Sequence, residues 1–234
     1  MVVRKAGGLV AGVRFSPARK NMKLFIWDFH GTLEKGNERG VIGLSNEALK
    51  QRGYAERFST EHIGQLYGKK WYEYFAHILP YESPEMHLQL QKDCVAMHVK
   101  NSDIIASHIA PNDHASAVLA AIGAQHDQIL ISNTPPAHVA EFLDMVGLRP
   151  FFPEGKYFGT DSHHPDAKTS KQDIAEAYMT DKRFEEIIAI GDSPQDMIPL
   201  PQTTHYLYAH EGLPFRECTA TYRIRDLWEV LREL

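Results

Sequence analysis

The amino-acid sequence predicts an α/β fold: a parallel sheet flanked by helices, with a small all-helical domain inserted after the first strand. Two observations carry that prediction. Short apolar runs alternate with helical patterns along the chain, as in βα units laid around a parallel sheet. About 95 residues separate the first apolar run from the second, far more than one crossover helix needs, so something is inserted between them.

The first run, 23-KLFIWD-28, ends in an acid and passes to Phe29, His30, Gly31 and Thr32, where a buried strand hands over to a loop. Residues 34–108 follow as the insert and read as helical throughout. Ser45 is expected to cap 46-NEALKQR-52, Thr60 precedes 61-EHIGQL-66, Lys70 to Leu79 is aromatic-rich, and Pro84 opens a pattern reaching Lys100. A crossover helix from Pro111 to Ile122, with Asn112 or Asp113 near its cap and Gly123 closing it, leads to the second strand, 128-QILIS-132. The later strands are 156-KYFGT-160, 187-IIAIGD-192 and 204-THYLYA-209. The last segment, 221-TYRIRDLWEVLREL-234, reads as an edge strand and an amphipathic helix with Ile224, Leu227, Val230 and Leu231 on one side. The expected domains are therefore a sheet domain of residues 23–33 and 109–234, a helical cap of residues 34–108, and a disordered basic tail of residues 1–22. That tail carries Arg4, Lys5, Arg14, Arg19 and Lys20 and no acid, and translation from Met22 instead of Met1 is an alternative reading of it.

With 234 residues, 43% of them hydrophobic, the chain can fill a sizeable core. A net charge of −5 gives no general attraction to nucleic acid or anionic membrane. No apolar run has the length of about 20 residues that a membrane helix needs. A small-molecule partner and a monomer or homodimer are expected. Cys94 and Cys218 lie far apart without CxxC spacing, which suggests neither a zinc site nor a disulfide framework and fits a reducing cytoplasm. The 13 histidines are scattered, show no ligand pair, and are expected on the surface or as core filler.

In a parallel sheet with right-handed crossovers the strand C-termini share one edge, and ligands bind there. The polar residues gather at that edge: Asp28 after the first strand, Ser132-Asn133 at the end of the second, and Gly191-Asp192 at the fourth with Asp196 four residues on. Carboxylates at close range repel unless a cation neutralises them, and hard oxygen ligands suit Mg²⁺. An ionised aspartate facing a phosphate can attack phosphorus and divide one hard displacement into two. Asp28 is the candidate nucleophile, Ser132 and a lysine the phosphate contacts, and the helix opening at Pro135-Pro136 a source of backbone N–H groups. Two lysines compete: Ser170 with Asp173 forms a capping box that sets Lys171 in a first helical turn, while Lys168 lies in the loop before it. Lys171 is preferred, because a helix start holds its position better. Thr32, Asn133, Lys69 and Lys70 are candidate substrate contacts, the two lysines lying in 67-YGKKWYEYF-75, whose Tyr67, Trp71, Tyr74 and Phe75 also read as cap core. His163-His164 reads as plain surface.

Taken in order, 24-LFIWDFHGTL-33, 129-ILISN-133, Lys171 and 187-IIAIGDSPQD-196 resemble the four motifs of the haloacid dehalogenase-like (HAD) hydrolases. The resemblance implies a Rossmann-like core, a helical cap as in phosphoglycolate phosphatase-like members, and Mg²⁺-dependent hydrolysis of a small phosphorylated metabolite through an aspartyl-phosphate. Carried over by position, it makes Asp28 nucleophile and metal ligand, the His30 carbonyl and Asp192 further ligands, Asp196 their support, and Ser132 a phosphate contact. Most phosphatases of the family have a second aspartate where this chain has His30. An imidazole there has three readings: a working acid/base, a filler in a slower or differently tasked enzyme, or packing. His30→Asp is expected to match or exceed the native activity on ordinary esters, and a loss there would show that the imidazole has a specialised task. A phosphonatase-like C–P hydrolase using Lys69 or Lys70, a metal-free dehalogenase, and a non-catalytic binding protein are the competing readings.

Overall fold

The computed structural model describes residues 22–66, 69–100, 102–160, 169–209 and 212–234. Lys168, Tyr67 and the pair His163-His164 lie outside them, as does the basic tail up to residue 21. Among the described residues six parallel strands form the main sheet: β1 (Leu24–Trp27), β4 (Asp127–Ser132), β5 (Tyr157–Gly159), β6 (Ile187–Gly191), β7 (Thr203–Tyr208) and β8 (Tyr222–Ile224). Their order is β5-β4-β1-β6-β7-β8, a Rossmann-like arrangement. The strand order reverses at β1, because the chain builds outward to β5 on one side and to β8 on the other. Crevices at such a reversal are where open α/β sheets bind ligands.

Side chains alternate between the two faces of β1, and both faces are covered. Phe25 and Trp27 join an apolar cluster with Leu130, Ile190, Leu119 and Phe142, while Leu24 and Ile26 pack with Ile129, Ile131 and Ala175 on the opposite face. The first cluster rests on α6 (Ala115–Gly123) and α7 (Pro136–Met145), and the second on α8 (Lys171–Met179).

Between β1 and α6 the chain departs through β2 (Glu34–Lys35) and returns through β3 (Ala110–Pro111), an antiparallel pair too short for periodicity to reveal. Among the described residues five helices lie between them: α1 (Asn37–Gln51), α2 (His62–Leu66), α3 (Trp71–Ile78), α4 (Pro84–Lys100) and α5 (Asp103–Ala106). Their apolar residues Leu44, Leu49, Phe75, Leu90 and Cys94 belong to the same cluster as the sheet face of Phe25 and Trp27.

Three local expectations are corrected. Ser45 does not cap a helix; α1 begins eight residues earlier, and the Ser45 hydroxyl donates back to the Val41 carbonyl at 2.7 Å. Gly40 and Gly43 weaken the helical signal of 37-NERGVIGL-44, yet Gly40 lets α1 approach α5, since a Cβ there would lie 3.2 Å from the Ile105 Cα. Neither Asn112 nor Asp113 caps α6 with its side chain; His114, at φ 64°, holds that position. The Asn112 amide instead donates to the Thr32 carbonyl at 2.8 Å and the Tyr208 hydroxyl at 2.9 Å, tying the return of the insert to the sheet. The C-terminal segment forms a 3₁₀ helix over Leu227–Glu233, not an α-helix, with Asp226 accepting from the Trp228 N–H at 2.9 Å. Leu227 and Val230, three apart, eclipse on one side of a 3₁₀ turn and are the two that are buried.

Gly36 stands where the insert begins. Its φ is 98°, and a Cβ would lie 2.0 Å from the His108 carbonyl oxygen on the returning chain. Gly36→Ala is expected to cost about 2–4 kcal/mol through backbone strain and displacement of the return. Urea unfolding measures it, and a variant as stable as the parent would show that the two chain passages part without penalty.

Candidate active site

Each polar residue at the sheet edge is presented by the end of a buried strand. Asp28 follows Trp27, and its N–H donates to the Ile190 carbonyl at 2.8 Å, so the ladder between β1 and β6 sets its place. Ser132 ends β4 and is 1% exposed, and Asp192 follows Gly191 of β6. Asp196 lies in a 3₁₀ turn (Pro194–Asp196) and turns back, accepting from the Ser193 N–H at 2.9 Å and hydroxyl at 2.6 Å. Gly191 makes room for it, since a Cβ there would meet the Asp196 Cβ at 2.1 Å.

Asp28, Asp192 and Asp196 are buried, and one carboxylate oxygen from each lies within 4.8 Å of the others. Three buried negative charges at that range call for cations. Lys171, at the start of α8, supplies one: its ammonium is 2.5 Å from Asp28 Oδ1 and 2.6 Å from Asp196 Oδ1. The Ser170 hydroxyl accepts from the Asp173 N–H at 3.1 Å and the Asp173 carboxylate accepts from the Ser170 N–H at 2.8 Å, the expected capping box. The Arg216 guanidinium, 3.2 Å from Asp192 Oδ2, supplies the second. Burial opposes the Lys171 charge, but Asp196 and Asp28 outweigh it and hold its pKa above the usual lysine range. Burial and the Asp196 charge push the Asp28 carboxyl up as well, because one shared ammonium does not offset both neighbours. Oxygen donors with surplus negative charge match the requirements of a hard divalent ion such as Mg²⁺.

His30 is held at both ring nitrogens, Nδ1 2.7 Å from Glu34 Oε2 and Nε2 3.0 Å from the Thr134 hydroxyl. Its ring meets Phe29 and Phe142 edge to face, with centroids 4.8 and 4.9 Å away. Burial works against the imidazolium, yet the hydrogen bond and charge of fully buried Glu34, with Asp28 beyond, raise its pKa above the ordinary histidine value. Glu34 escaped the sequence reading, which counted it as the first residue of the insert. The turn 29–34, in which three N–H groups converge on the Phe29 carbonyl, folds it back under His30. An acid four residues after His30, directly following Leu33, was the available signal. Thr134 and Arg216 were also missed, and Arg216 lies in a loop without any pattern.

A cavity of about 760 Å³ opens at this edge, with Asp28, His30, Ser132 and Asp192 on one side and Lys69 and Trp71 of the inserted segment on another. Of the remaining substrate candidates, Asn133 lines the cavity and its amide donates to Gln195 at 2.9 Å. The Thr32 hydroxyl donates to Asp28 Oδ2 at 3.3 Å. Lys70 precedes α3 and lies 6.0 Å from the Tyr72 ring centre; it is not one of the residues lining the cavity, although its neighbours Lys69 and Trp71 are. In the aromatic segment Phe75 is core, whereas Trp71 and Tyr74 serve both core and cavity wall. The start of α7 offers fewer donors than anticipated: Pro135 and Pro136 have no N–H, that of His138 closes on the Pro135 carbonyl at 2.9 Å, and that of Thr134 donates to the Ser132 hydroxyl at 3.2 Å.

Among the described residues no helix is long and apolar enough to cross a membrane. A family model described as haloacid dehalogenase-like hydrolase matches residues 22–202. No relative among curated proteins matches the chain. A haloacid dehalogenase-like family hydrolase of Streptococcus pneumoniae superimposes with a TM-score of 0.71 at 15% identity, over 90% of this chain and 97% of that one. A protein described as a predicted phosphoglycolate phosphatase of Haemophilus somnus gives 0.69 at 15% identity, over 92% and 99%. A HAD family hydrolase of Deinococcus radiodurans, with bound phosphate and sodium, gives 0.62 at 15% identity, over 89% and 93%. At such identities these likenesses concern the fold.

Proposed function

Since the chain belongs to the haloacid dehalogenase-like hydrolase family, we propose that it is a Mg²⁺-dependent phosphatase of a small phosphorylated metabolite, with Asp28 as nucleophile. One observation carries the reading: Asp28, Asp192 and Asp196 bring carboxylate oxygens within 4.8 Å at the sheet edge, with Lys171 bridging two of them. The phosphate bound in the Deinococcus radiodurans hydrolase supports the substrate class.

Asp28, the His30 carbonyl and Asp192 would hold the ion, with Asp196 behind them, and Mg²⁺ there would offset the charge of a bound phosphate. Asp28 attacks phosphorus, forming an acyl-phosphate as the ester oxygen leaves, and water later cleaves that bond to release phosphate. Lys171 keeps Asp28 oriented and its charge compensated, and Ser132 holds a phosphoryl oxygen. The His30 Nε2–H gives a proton to the departing alkoxide, and the freed nitrogen then takes one from the attacking water. Glu34 keeps the ring turned so that Nε2 lies on the Thr134 and cavity side. Residues 34–108 act as the cap, placing Lys69 and Trp71 against the substrate.

Glu34 reverses one expectation. In place of His30 an aspartate would set a second carboxylate beside a fully buried one. His30→Asp is therefore expected to lose activity, about tenfold or more, with the double variant His30→Asp/Glu34→Gln recovering part of it. Phosphate release from a panel of esters measures both. Unimpaired His30→Asp would show that buried Glu34 does not hinder a second carboxylate at this position. The proposal as a whole predicts that EDTA stops phosphate release and Mg²⁺ restores it; release that persists in EDTA would defeat it.

Lys69 in the cavity wall keeps a C–P hydrolase as the second reading. Borohydride trapping of a lysine imine with a carbonyl phosphonate, lost in Lys69→Met, would favour it over ester hydrolysis.

A further inference from the structure

A second cluster of ligand-type side chains lies beside the same cavity, apart from the three carboxylates. His98, near the end of α4, faces His138 and Glu141, three residues apart on α7, and one donor atom from each lies within 4.8 Å of the others. In the sequence the scattered histidines were expected on the surface or as core filler, and His98 and His138, 40 residues apart, show no ligand spacing.

His98 is 5% exposed, and neither of its ring nitrogens has a hydrogen-bond partner among the described residues. Leaving two buried polar atoms unpaired costs stability. Its flat stacking on Phe142, centroids 5.2 Å apart and planes 4° apart, explains an aromatic ring there but not two nitrogens. Phenylalanine would stack equally well without that cost. Burial outweighs the nearby Glu141 charge and, with His138 and His30, keeps the His98 imidazole below the ordinary histidine pKa; the neutral ring is the form that coordinates metals. His98 and His138 line the cavity, and Glu141 Oε2 already lies 3.3 Å from His138 Nδ1. Ligand atoms at about 2.1 Å around a tetrahedral zinc ion sit roughly 3.4 Å apart. The His138–Glu141 spacing matches that, and His98 offers a donor atom within 4.8 Å of one from each of them.

We propose that His98, His138 and Glu141 form a binding site for a zinc-type divalent transition metal ion, linking inserted helix α4 to core helix α7. Two imidazoles and one carboxylate select such an ion over Mg²⁺, which takes oxygen ligands and keeps its waters. Three protein ligands leave a fourth position for water or for a substrate group. The ion ties the two helices in this arrangement beside the cavity that Asp28 also lines.

The test uses the full chain, freed of metal by chelation and titrated with Co²⁺ in excess Mg²⁺ so that the carboxylate site does not contribute. One equivalent is expected to bind with the visible absorption of an imidazole-ligated, low-coordinate ion, and Zn²⁺ is expected to displace it. His138→Ala and Glu141→Gln should each weaken binding by about tenfold or more, and Asp192→Asn should leave it unchanged. His98→Phe, which keeps the stack on Phe142, should abolish binding without loss of thermal stability. Zn²⁺ should raise the Tm of the parent by several degrees but not that of His98→Phe. Absence of saturable Co²⁺ binding, or binding untouched by His138→Ala and His98→Phe, would overturn the site and leave His98 as a packing residue or one solvated by water.

Discussion

Asp28→Asn is expected to lower phosphate release by about 10⁴-fold or more while leaving the fold at least as stable as the parent. The amide is isosteric with the carboxylate but too weak a nucleophile to form an acyl-phosphate. The stability half of the expectation follows from electrostatics. Burial and the Asp196 charge raise the Asp28 pKa, so above that folded pKa the ionised carboxylate opposes folding, and a neutral amide relieves the opposition. Loss of the Lys171 ion pair works the other way, but Lys171 retains Asp196 at 2.6 Å. Thermal unfolding and steady-state phosphate release on the same preparation separate the two effects. Activity that survived in Asp28→Asn would refute the nucleophile, and a collapsed Tm would make the loss of activity uninformative about chemistry and contradict the charge argument.

Lys171→Met is expected to be the most destabilising change at the site, by about 3–5 kcal/mol, with activity lost too. Lys171 is 5% exposed, and its ammonium is the only cation within salt-bridge distance of Asp28 and Asp196 among the described residues. Methionine fills the space of the lysine stem but leaves Asp28 and Asp196 facing each other, with Arg216 on Asp192 too engaged to compensate. Much of the loss should return at millimolar Mg²⁺, since an ion bound to the folded chain alone stabilises it by mass action. Urea unfolding with and without Mg²⁺ measures both effects. A variant within about 1 kcal/mol of the parent in EDTA would mean that the carboxylates are protonated or solvated in the fold and not held by Lys171.

Much of the sheet edge was legible in the residues themselves. Asp28, Ser132 and Asp192 end apolar runs, and a parallel sheet sends such run ends to one side. Lys171 was legible through Ser170 and Asp173, a local signal confined to one helical turn. Short pieces escaped: β2 and β3 have two residues each, and α5 has four, too few to show a period. Ser45 misled because a serine before a helical run looks like a cap, whereas packing of Gly40 on α5 extends α1 through it.

The alternation of apolar runs and the acids at their ends determined by themselves that this is a parallel α/β chain with a carboxylate-rich edge, because strand burial and strand direction act within each run. The partnership of Glu34 with His30, the guanidinium on Asp192, and the meeting of His98 with His138 and Glu141 were decided only by the tertiary structure. Those contacts depend on how a turn closes and how helices distant in the chain pack, and the energy that selects them comes from apolar burial elsewhere in the core, not from the polar residues that end up touching.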